Sequence, residues 1–478
     1  MSLELKPYPE YRDSGLPWLG EIPTHWGLTR TKYVFREVDE RSATGEETHL
    51  SMSQKYGLVD SSRIDEWRMQ SESYAGGKLC KQNDLVLNRL KAHLGVFAYA
   101  PVDGVVSPDY TVLRALKNER SRFFESVFKT PAYISELRRS TKGIVEGFWR
   151  LYTDDLYDIR VPVPPVAEQK VILNWIDQVD LVVHCLIRAK LRLIELLNEQ
   201  KQAIIHRAVT RGLDPDAPMK STGLDWLPEV PKHWKIKPLK RWAKINGCVL
   251  PETTDPDYVF SYLDIGAVGT GFLTEQPELM RFGDAPSRAR RVLKQGDTII
   301  STVRTYLKAV HFVADGQEDL VASTGFAVLT PVPSVVPECL SFVIQSNTFV
   351  ERVMANSVGI AYPAIAETRL GALHLALPST VSEQLLMVEY IKRETQTIDE
   401  AISRAQREID LIREYRTRLI SDVVTGKLDV RGVELPEPDE RESELKGLGP
   451  VEPEAPSEVR EVPVLGTDPA SESLQGNR

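Results

Sequence analysis

Two long stretches of this chain carry apolar residues at seven-residue intervals. In the first, Ile176, Val183, Leu197 and Ile204 fall in register, with Lys190 intruding. In the second, Ile391, Ile398, Ala405, Ile412 and Leu419 do the same, each 215 residues later. A sustained heptad predicts a coiled-coil seam, here on helices over 167–211 and 382–426. Two matched helices in one chain can seal that seam against each other. At about 1.5 Å per residue, each would be a rod of about 60 Å. The competing reading packs each amphipathic helix on its own domain. Pro-rich punctuation precedes both, at 161–166 and 377–381. Upstream, short β-prone runs such as Asp84–Arg89 and Asp297–Arg304 alternate with turn residues, which predicts mixed strand and turn.

The chain is a tandem duplication. Residues 14–26 and 222–234 share eight of thirteen identities, including Trp18/Trp226, Pro23/Pro231, His25/His233 and Trp26/Trp234. At an offset of 215, Glu168-Gln169 pairs with Glu383-Gln384, and Val209, Thr210, Leu213 and Asp214 pair with Val424, Thr425, Leu428 and Asp429. Repeats of this kind set the architecture before any local assignment. They divide the chain near 215, giving units of about 8–215 and 216–430. The tryptophans are expected in the core or at the junction of domain and helix, because each brings a large apolar area. His25 and His233 have no second ligand at a useful spacing, so no metal site is expected.

The middle regions echo one another only at landmarks: 81–84 with 294–297, Ser107 with Ser323, Gly143-Ile144 with Gly359-Ile360. Shared turns with divergent residues between them suit one scaffold with two different surfaces. Local positive charge gathers there. Residues 78–93 hold Lys78, Lys81, Arg89 and Lys91 against Asp84; residues 281–308 hold Arg281, Arg288, Arg290, Arg291, Lys294, Arg304 and Lys308 against Asp284 and Asp297. Lys and Arg neutralise phosphate, and Arg, Asn and Ser/Thr read base edges. A solvated charged face is the plain alternative. Lys78, Arg89, Lys91, Arg288, Arg290, Arg304, Tyr306 and Lys308 are the candidate DNA contacts.

Overall charge adds little. The chain has 59 Lys+Arg against 68 Asp+Glu, a net of −9 over 478 residues, which argues against a wholly basic nucleic-acid binder. Residues 433–478 hold 12 acidic and 4 basic residues, 7 of the 31 prolines and no aromatic. Such a segment buries too little to offset chain entropy and is expected to be a disordered acidic tail. It accounts for all but one of the net negative charges, so local clusters decide what the body binds. Four distant cysteines (Cys80, Cys185, Cys248, Cys339) suggest neither a disulfide framework nor a zinc ribbon. The start has no signal-peptide pattern, and no run of about 18 apolar residues occurs; a cytoplasmic protein without a membrane span is expected. No P-loop, Gly-x-Ser-x-Gly elbow, His-Glu-x-x-His or Asn-Pro-Pro-aromatic motif occurs, so no covalent chemistry and no cofactor of its own are expected.

The duplicated Gly-Leu-x-Trp-Leu-x-x-(Ile/Val)-Pro-x-His-Trp entry, the Glu-Gln lead into a long helix and the Val-Thr-x-x-Leu-Asp end resemble the specificity (S) subunit of type I restriction–modification enzymes. The resemblance spans about 8–430 and leaves the tail aside. It implies an α+β fold: two mixed α/β target recognition domains (8–166 and 216–381) in pseudo-symmetric repeat, separated by two antiparallel helices (167–211 and 382–426) forming a coiled coil. It implies that each domain reads half of a split double-stranded DNA site. The helices would set the spacing and dock two methyltransferase (M) subunits, with restriction (R) subunits joining. S-adenosylmethionine and ATP would then belong to those partners. The alternative is a helical scaffold for protein assembly that never touches DNA.

Overall fold

The computed structural model describes residues 5–53, 57–63, 74–117, 120–143, 149–314, 319–360 and 362–433. The acidic tail lies outside these but for its first residue. The chain forms two compact units: unit 1 comprises residues 1–190 and 408–478, and unit 2 residues 191–407. The cuts fall within the two long helices, not near residue 215. Each unit therefore owns one globule and half of each helix.

In unit 1 the entry motif is a hairpin. Tyr11–Asp13 pairs antiparallel with Glu21–Pro23, in register Tyr11↔Pro23. The next strand, Gly27–Arg30, pairs with Arg160–Val163; Pro162 is tolerated there because the sheet has only two strands, both edges. A four-stranded antiparallel sheet follows, in the order Phe35–Val38, Tyr110–Ala115, Leu85–Asn88, Phe97–Tyr99. Leu85, Val86 and Leu87 are all fully buried, as expected of a strand covered on both faces. Helices α1 (Ser121–Phe128), α2 (Pro131–Ser140) and α3 (Thr153–Asp158) close the globule. On α1, Phe123, Phe124, Val127 and Phe128 are buried, two i,i+4 pairs that make one apolar face. Pro131 starts α2 behind Thr130, whose hydroxyl accepts the Tyr133 N–H, a favoured helix start. Then comes α4 (Val166–Arg211).

Unit 2 repeats this plan at the expected offset. Met219–Leu224 pairs with Leu227–Pro231, in register Met219↔Pro231, 208 residues on from Tyr11↔Pro23. Lys235–Pro238 pairs with His374–Leu377. The main sheet runs Ala243–Ile245, Phe326–Pro331, Thr298–Ser301, Val310–Phe312. A second sheet sets Val259–Leu263 parallel to Leu320–Ser323, flanked by Glu278–Arg281 and Ala289–Val292. Helices α5 (Pro337–Gln345), α6 (Asn347–Ala355) and α7 (Glu367–Ala372) precede α8 (Val381–Val424).

The long helices pair antiparallel. In unit 1, Arg416 grips Asp180 with two hydrogen bonds of 2.7 and 2.9 Å, and Lys190 meets Glu408; as one number rises the other falls. In unit 2, Lys201 bonds Asp399 at 2.6 Å, and Ala208 and Val209 share a core with Met387, Val388 and Ile391. The buried spine of α8 includes Gln384, Val388, Ile391, Thr395, Ile398, Ala405, Ile409, Leu419 and Val423, so a second heptad set lies beside the one the sequence displays. On α4, Ile176 and Val183 are buried, but Leu197 and Ile204 are only half-buried. Lys190, Asp180 and Lys201 interrupt that seam and are answered by ion pairs. Both helices also pack on the globules at their ends, so the two competing packings coexist.

Candidate nucleic-acid interface

The entry motifs and the Glu-Gln motifs hold each globule to its helix. Glu168, the third residue of α4, accepts hydrogen bonds from the Tyr8 hydroxyl (2.8 Å) and the Trp26 indole N–H (3.0 Å), and its other oxygen lies 2.9 Å from His25 Nε2. In unit 2, Glu383 accepts from the Trp234 indole (2.9 Å) and meets His233 Nε2 (2.8 Å). The following glutamines cap another helix. Gln169 Oε1 accepts the Arg120 N–H at 3.0 Å, ahead of α1; Gln384 Oε1 accepts the Val336 N–H at 2.7 Å, ahead of α5. Trp26 and Trp234 are buried, while Trp18 and Trp226 are half-buried. These residues serve architecture. The histidines are held by carboxylates, and among the described residues no cluster of His, Cys, Asp or Glu could hold a metal.

The 81–84 and 294–297 echo is also architectural. Asn83 and Gly296 take left-handed φ of 72° and 85°. Asp84 and Asp297 close each turn by accepting the N–H of Lys81 (2.8 Å) and Lys294 (2.9 Å). Arg114 secures Asp84 at 2.9 Å, and the Thr330 hydroxyl secures Asp297 at 2.6 Å. Burial holds the Asp297 carboxyl above the usual carboxylate range.

Those turns position the basic loops at the far end of the same strands. In unit 1 the turn Ala92–Leu94 joins the two strands that end the main sheet. Asn88 Oδ1 accepts the N–H groups of Leu90 and Lys91 at 3.1 and 3.3 Å. A second segment braces it: Lys142 and Arg150 exchange backbone bonds, and Leu151 N–H bonds the Arg89 carbonyl at 3.1 Å. Arg89 Nε bonds the Asp109 carbonyl at 2.9 Å, while Lys91 is exposed. Trp149 sits beneath Arg138, 5.5 Å away, and against His93.

Unit 2 builds the same device. The turn Thr305–Leu307 lies between the equivalent strands. Arg304 and Lys308 flank it with φ of 53° and 51°, a conformation that costs a side-chain-bearing residue about 1–3 kcal/mol. The bracing segment bonds it through Ile365 N–H to the Thr302 carbonyl (2.9 Å) and the Thr305 hydroxyl to Ser357 Oγ (2.9 Å). Arg304 is exposed and stacks 4.9 Å over Tyr362; Tyr306 is exposed beside it.

Arg89 and Lys91 share one loop, and Arg304, Tyr306 and Lys308 share its counterpart. Lys78 is a correction: its side chain is 3% exposed, with its ammonium 3.4 Å from Glu37 and from Asp39. Its charge is answered inside the fold, not offered to a ligand. Arg288 is half-buried and engaged by the Tyr262 hydroxyl (3.1 Å) and Asp264 (3.3 Å); the Tyr262 bond, then the Asp264 charge, hold its pKa above the ordinary guanidinium value against partial burial. Arg290 lies 4.4 Å over Phe282. Arg290 belongs to the second sheet and Arg288 immediately precedes its strand Ala289–Val292; neither is on the turn. Sequence reasoning missed Tyr362, Trp149, Lys142 and Arg150; the Gly143-Ile144 and Gly359-Ile360 echo was the signal that marked their segments.

The helices offer a different surface. Leu186, Leu411 and Tyr415 in unit 1, and Leu193 and Leu196 in unit 2, are exposed. A groove of about 1210 Å³ runs along the first half of α8, lined by residues including Lys201, Phe342, Leu385, Lys392 and Arg404. No helix among the described residues is long and apolar enough to cross a membrane.

Comparison with known proteins points one way. Residues 35–196 match the type I restriction modification DNA specificity domain. The chain is 22% identical over 305 residues to the type I restriction enzyme MjaVIII specificity subunit of Methanocaldococcus jannaschii, covering 63% of this chain and 68% of that one. It is 28% identical over 113 residues to the HindI specificity subunit of Haemophilus influenzae, covering 23% of this chain and 25% of that one. A solved chain described under complex assembly and conformational transition of the type I R-M system shares the fold, with a TM-score of 0.54 at 16% identity over 85% of this chain and 99% of that one.

Proposed function

We propose, proceeding from this chain's membership of the type I restriction–modification specificity subunits, that each of its units reads one half of a bipartite double-stranded DNA target. The observation that carries this is the duplicated basic turn. Two units whose main sheets share one strand order carry Arg89–Lys91 and Arg304–Lys308 on equivalent, separately braced loops. The flanking side chains differ: Trp149 and His93 in one, Tyr306 and Tyr362 in the other. One scaffold with two unlike tips suits two unlike half-sites.

The paired helices set the count of unread base pairs between the halves, because a stiff element fixes how far apart two groove contacts fall. Their exposed leucines and Tyr415, and the groove along α8, dock methyltransferase subunits, with restriction subunits joining that core. S-adenosylmethionine and ATP are bound by those partners, and this chain contributes recognition rather than bond-making.

The test is target protection. The chain co-expressed with its methyltransferase partner should methylate one split sequence, and Arg89→Ala or Arg304→Ala should lower that protection. Full, site-specific methylation by both variants would remove the basic turns from the reading. No DNA shift in the presence of the partner would favour a scaffold that holds proteins alone.

A further inference from the structure

The basic turn of unit 2 carries apolar groups that none of the described residues covers. Val358 is 70% exposed and Ile360 is fully exposed. Both sit on the bracing segment, whose ends are pinned: Val358 and Ala364 exchange backbone bonds of 2.9 and 3.0 Å, and Val303 bridges Ala364. Gly359 makes the tip, with a φ of 121° and room for a Cβ only 3.1 Å from the Tyr362 carbonyl. A β-branched side chain held in water at a pinned tip contributes nothing to the core of its own unit. Beside it, Arg304 is stacked on Tyr362 while remaining exposed, which limits the guanidinium's freedom.

The occupant that fits an aliphatic tip flanked by Arg304 and Lys308 is the base edge of a duplex. A phosphate answers Lys308, and the tip reaches past it into the groove with Arg304 beside it. An aliphatic group cannot hydrogen-bond, so it distinguishes bases through one feature, the 5-methyl group of thymine. We propose that residues 357–360 and 362–364 form a second reading element of unit 2. Ile360 contacts a thymine methyl, and Tyr362 positions Arg304 for a neighbouring base pair. This rests on the reading of unit 2 as a DNA reader and adds the base feature it detects.

The experiment uses the full chain with its methyltransferase partner and duplexes whose second half-site carries uracil in place of thymine, one position at a time. Wild type should lose about fourfold in affinity at one position, the worth of one buried methyl. Ile360→Ala should bind the thymine and uracil duplexes equally there, while keeping its first half-site preference and melting temperature, which controls for folding. Ile360→Val should retain most of the discrimination. A wild type indifferent to uracil throughout, or an Ile360→Ala that still discriminates, overturns the proposal. Arg304→Ala separates the two levels: if it abolishes second half-site preference while Ile360→Ala changes nothing, the tip is wrong and unit 2 still reads DNA. If neither variant changes that preference, both readings fall.

Discussion

Trp26 donates its indole N–H to Glu168 across 142 positions of sequence, and Trp234 does the same to Glu383 in the other unit. The two bonds are equivalent in role but not in burial. Glu168 is 5% exposed and also accepts from Tyr8, with Arg431 3.8 Å away; Glu383 is 28% exposed and, among the described residues, adds His233 alone to its tryptophan. The segment after α8 supplies the difference, since Asp429 bridges Lys6 and Arg431 stacks on Tyr8.

Removing a carboxylate that satisfies buried donors leaves each of them unpaired, at about 1–3 kcal/mol apiece. Glu168→Ala should therefore destabilise the chain by about 2–4 kcal/mol, and Glu383→Ala by about half that. Urea titrations of both variants check the order. A Glu383→Ala loss equal to or larger than that of Glu168→Ala would show that burial does not set the scale.

The helix ends carry a second asymmetry. Gly212 and Gly426 follow α4 and α8 with φ of 75° and 83°, the left-handed stop that favours glycine. Each lies on the proline and tryptophan of an entry motif. A Cβ on Gly426 would stand 2.4 Å from Pro23 Cδ, whereas one on Gly212 would stand 3.3 Å from Pro231 Cγ. Gly212→Ala should cost about 1–2 kcal/mol, mostly the conformational penalty, because Pro231 has to give only slightly. Gly426→Ala should cost about 2–4 kcal/mol, because the clash adds to it. Thermal melts of the pair test this, and equal losses would mean that Pro23 yields freely.

Much of this architecture was legible in sequence. The 208-residue offset of the entry motif recurs in the two hairpins, Tyr11↔Pro23 and Met219↔Pro231, although the hairpins themselves are not legible in the motif. The apolar heptad of α8 is nearly unbroken, so its seam could be read directly. That of α4 is legible through Leu197 and Ile204 but interrupted by Lys190, which Glu408 answers; its companion set is hidden because Asp180 and Lys201 take positions there, answered by Arg416 and Asp399. The burial of Lys78 is hidden from sequence for the same reason: its partners Glu37 and Asp39 lie some 40 residues away, and strand pairing brings them close. The Gly143-Ile144 and Gly359-Ile360 echo marks the segments that brace Arg89 and Arg304, but the bracing contacts themselves leave no trace in sequence, because two-residue bridges have no periodicity.

Arg304 and Lys78 now predict opposite behaviour. Arg304→Ala should weaken DNA binding and reduce the slope of log affinity against log salt by about one, the signature of a lost phosphate contact, or relax one base position if the guanidinium reads an edge. Lys78→Ala should leave both unchanged and lower stability, because Glu37 and Asp39 lose their counter-charge. Filter binding across a salt series, with a melt for each variant, distinguishes them. A Lys78→Ala protein of native stability and reduced salt slope would contradict its burial.

The spacing proposal has its own test, and the structure dictates how to make it. Adding residues directly after Arg211 would disturb Gly212 where it meets Pro231 and Trp234. Seven residues inserted into α4 after Leu193, with seven into α8 after Arg404, keep both heptads in phase. Seven residues lengthen a helix by about 10 Å, and B-DNA rises about 3.4 Å per base pair. The gap between half-sites should grow by about three base pairs, while both half-site sequences stay the same. Mapping methylated positions in cells expressing the lengthened chain with its partner reads gap and halves together. Inserting seven residues into α4 alone should instead abolish specific methylation, because Lys201 then slides two turns past Asp399. A lengthened pair that still recognises the original gap would mean that the helices hold partners without measuring DNA.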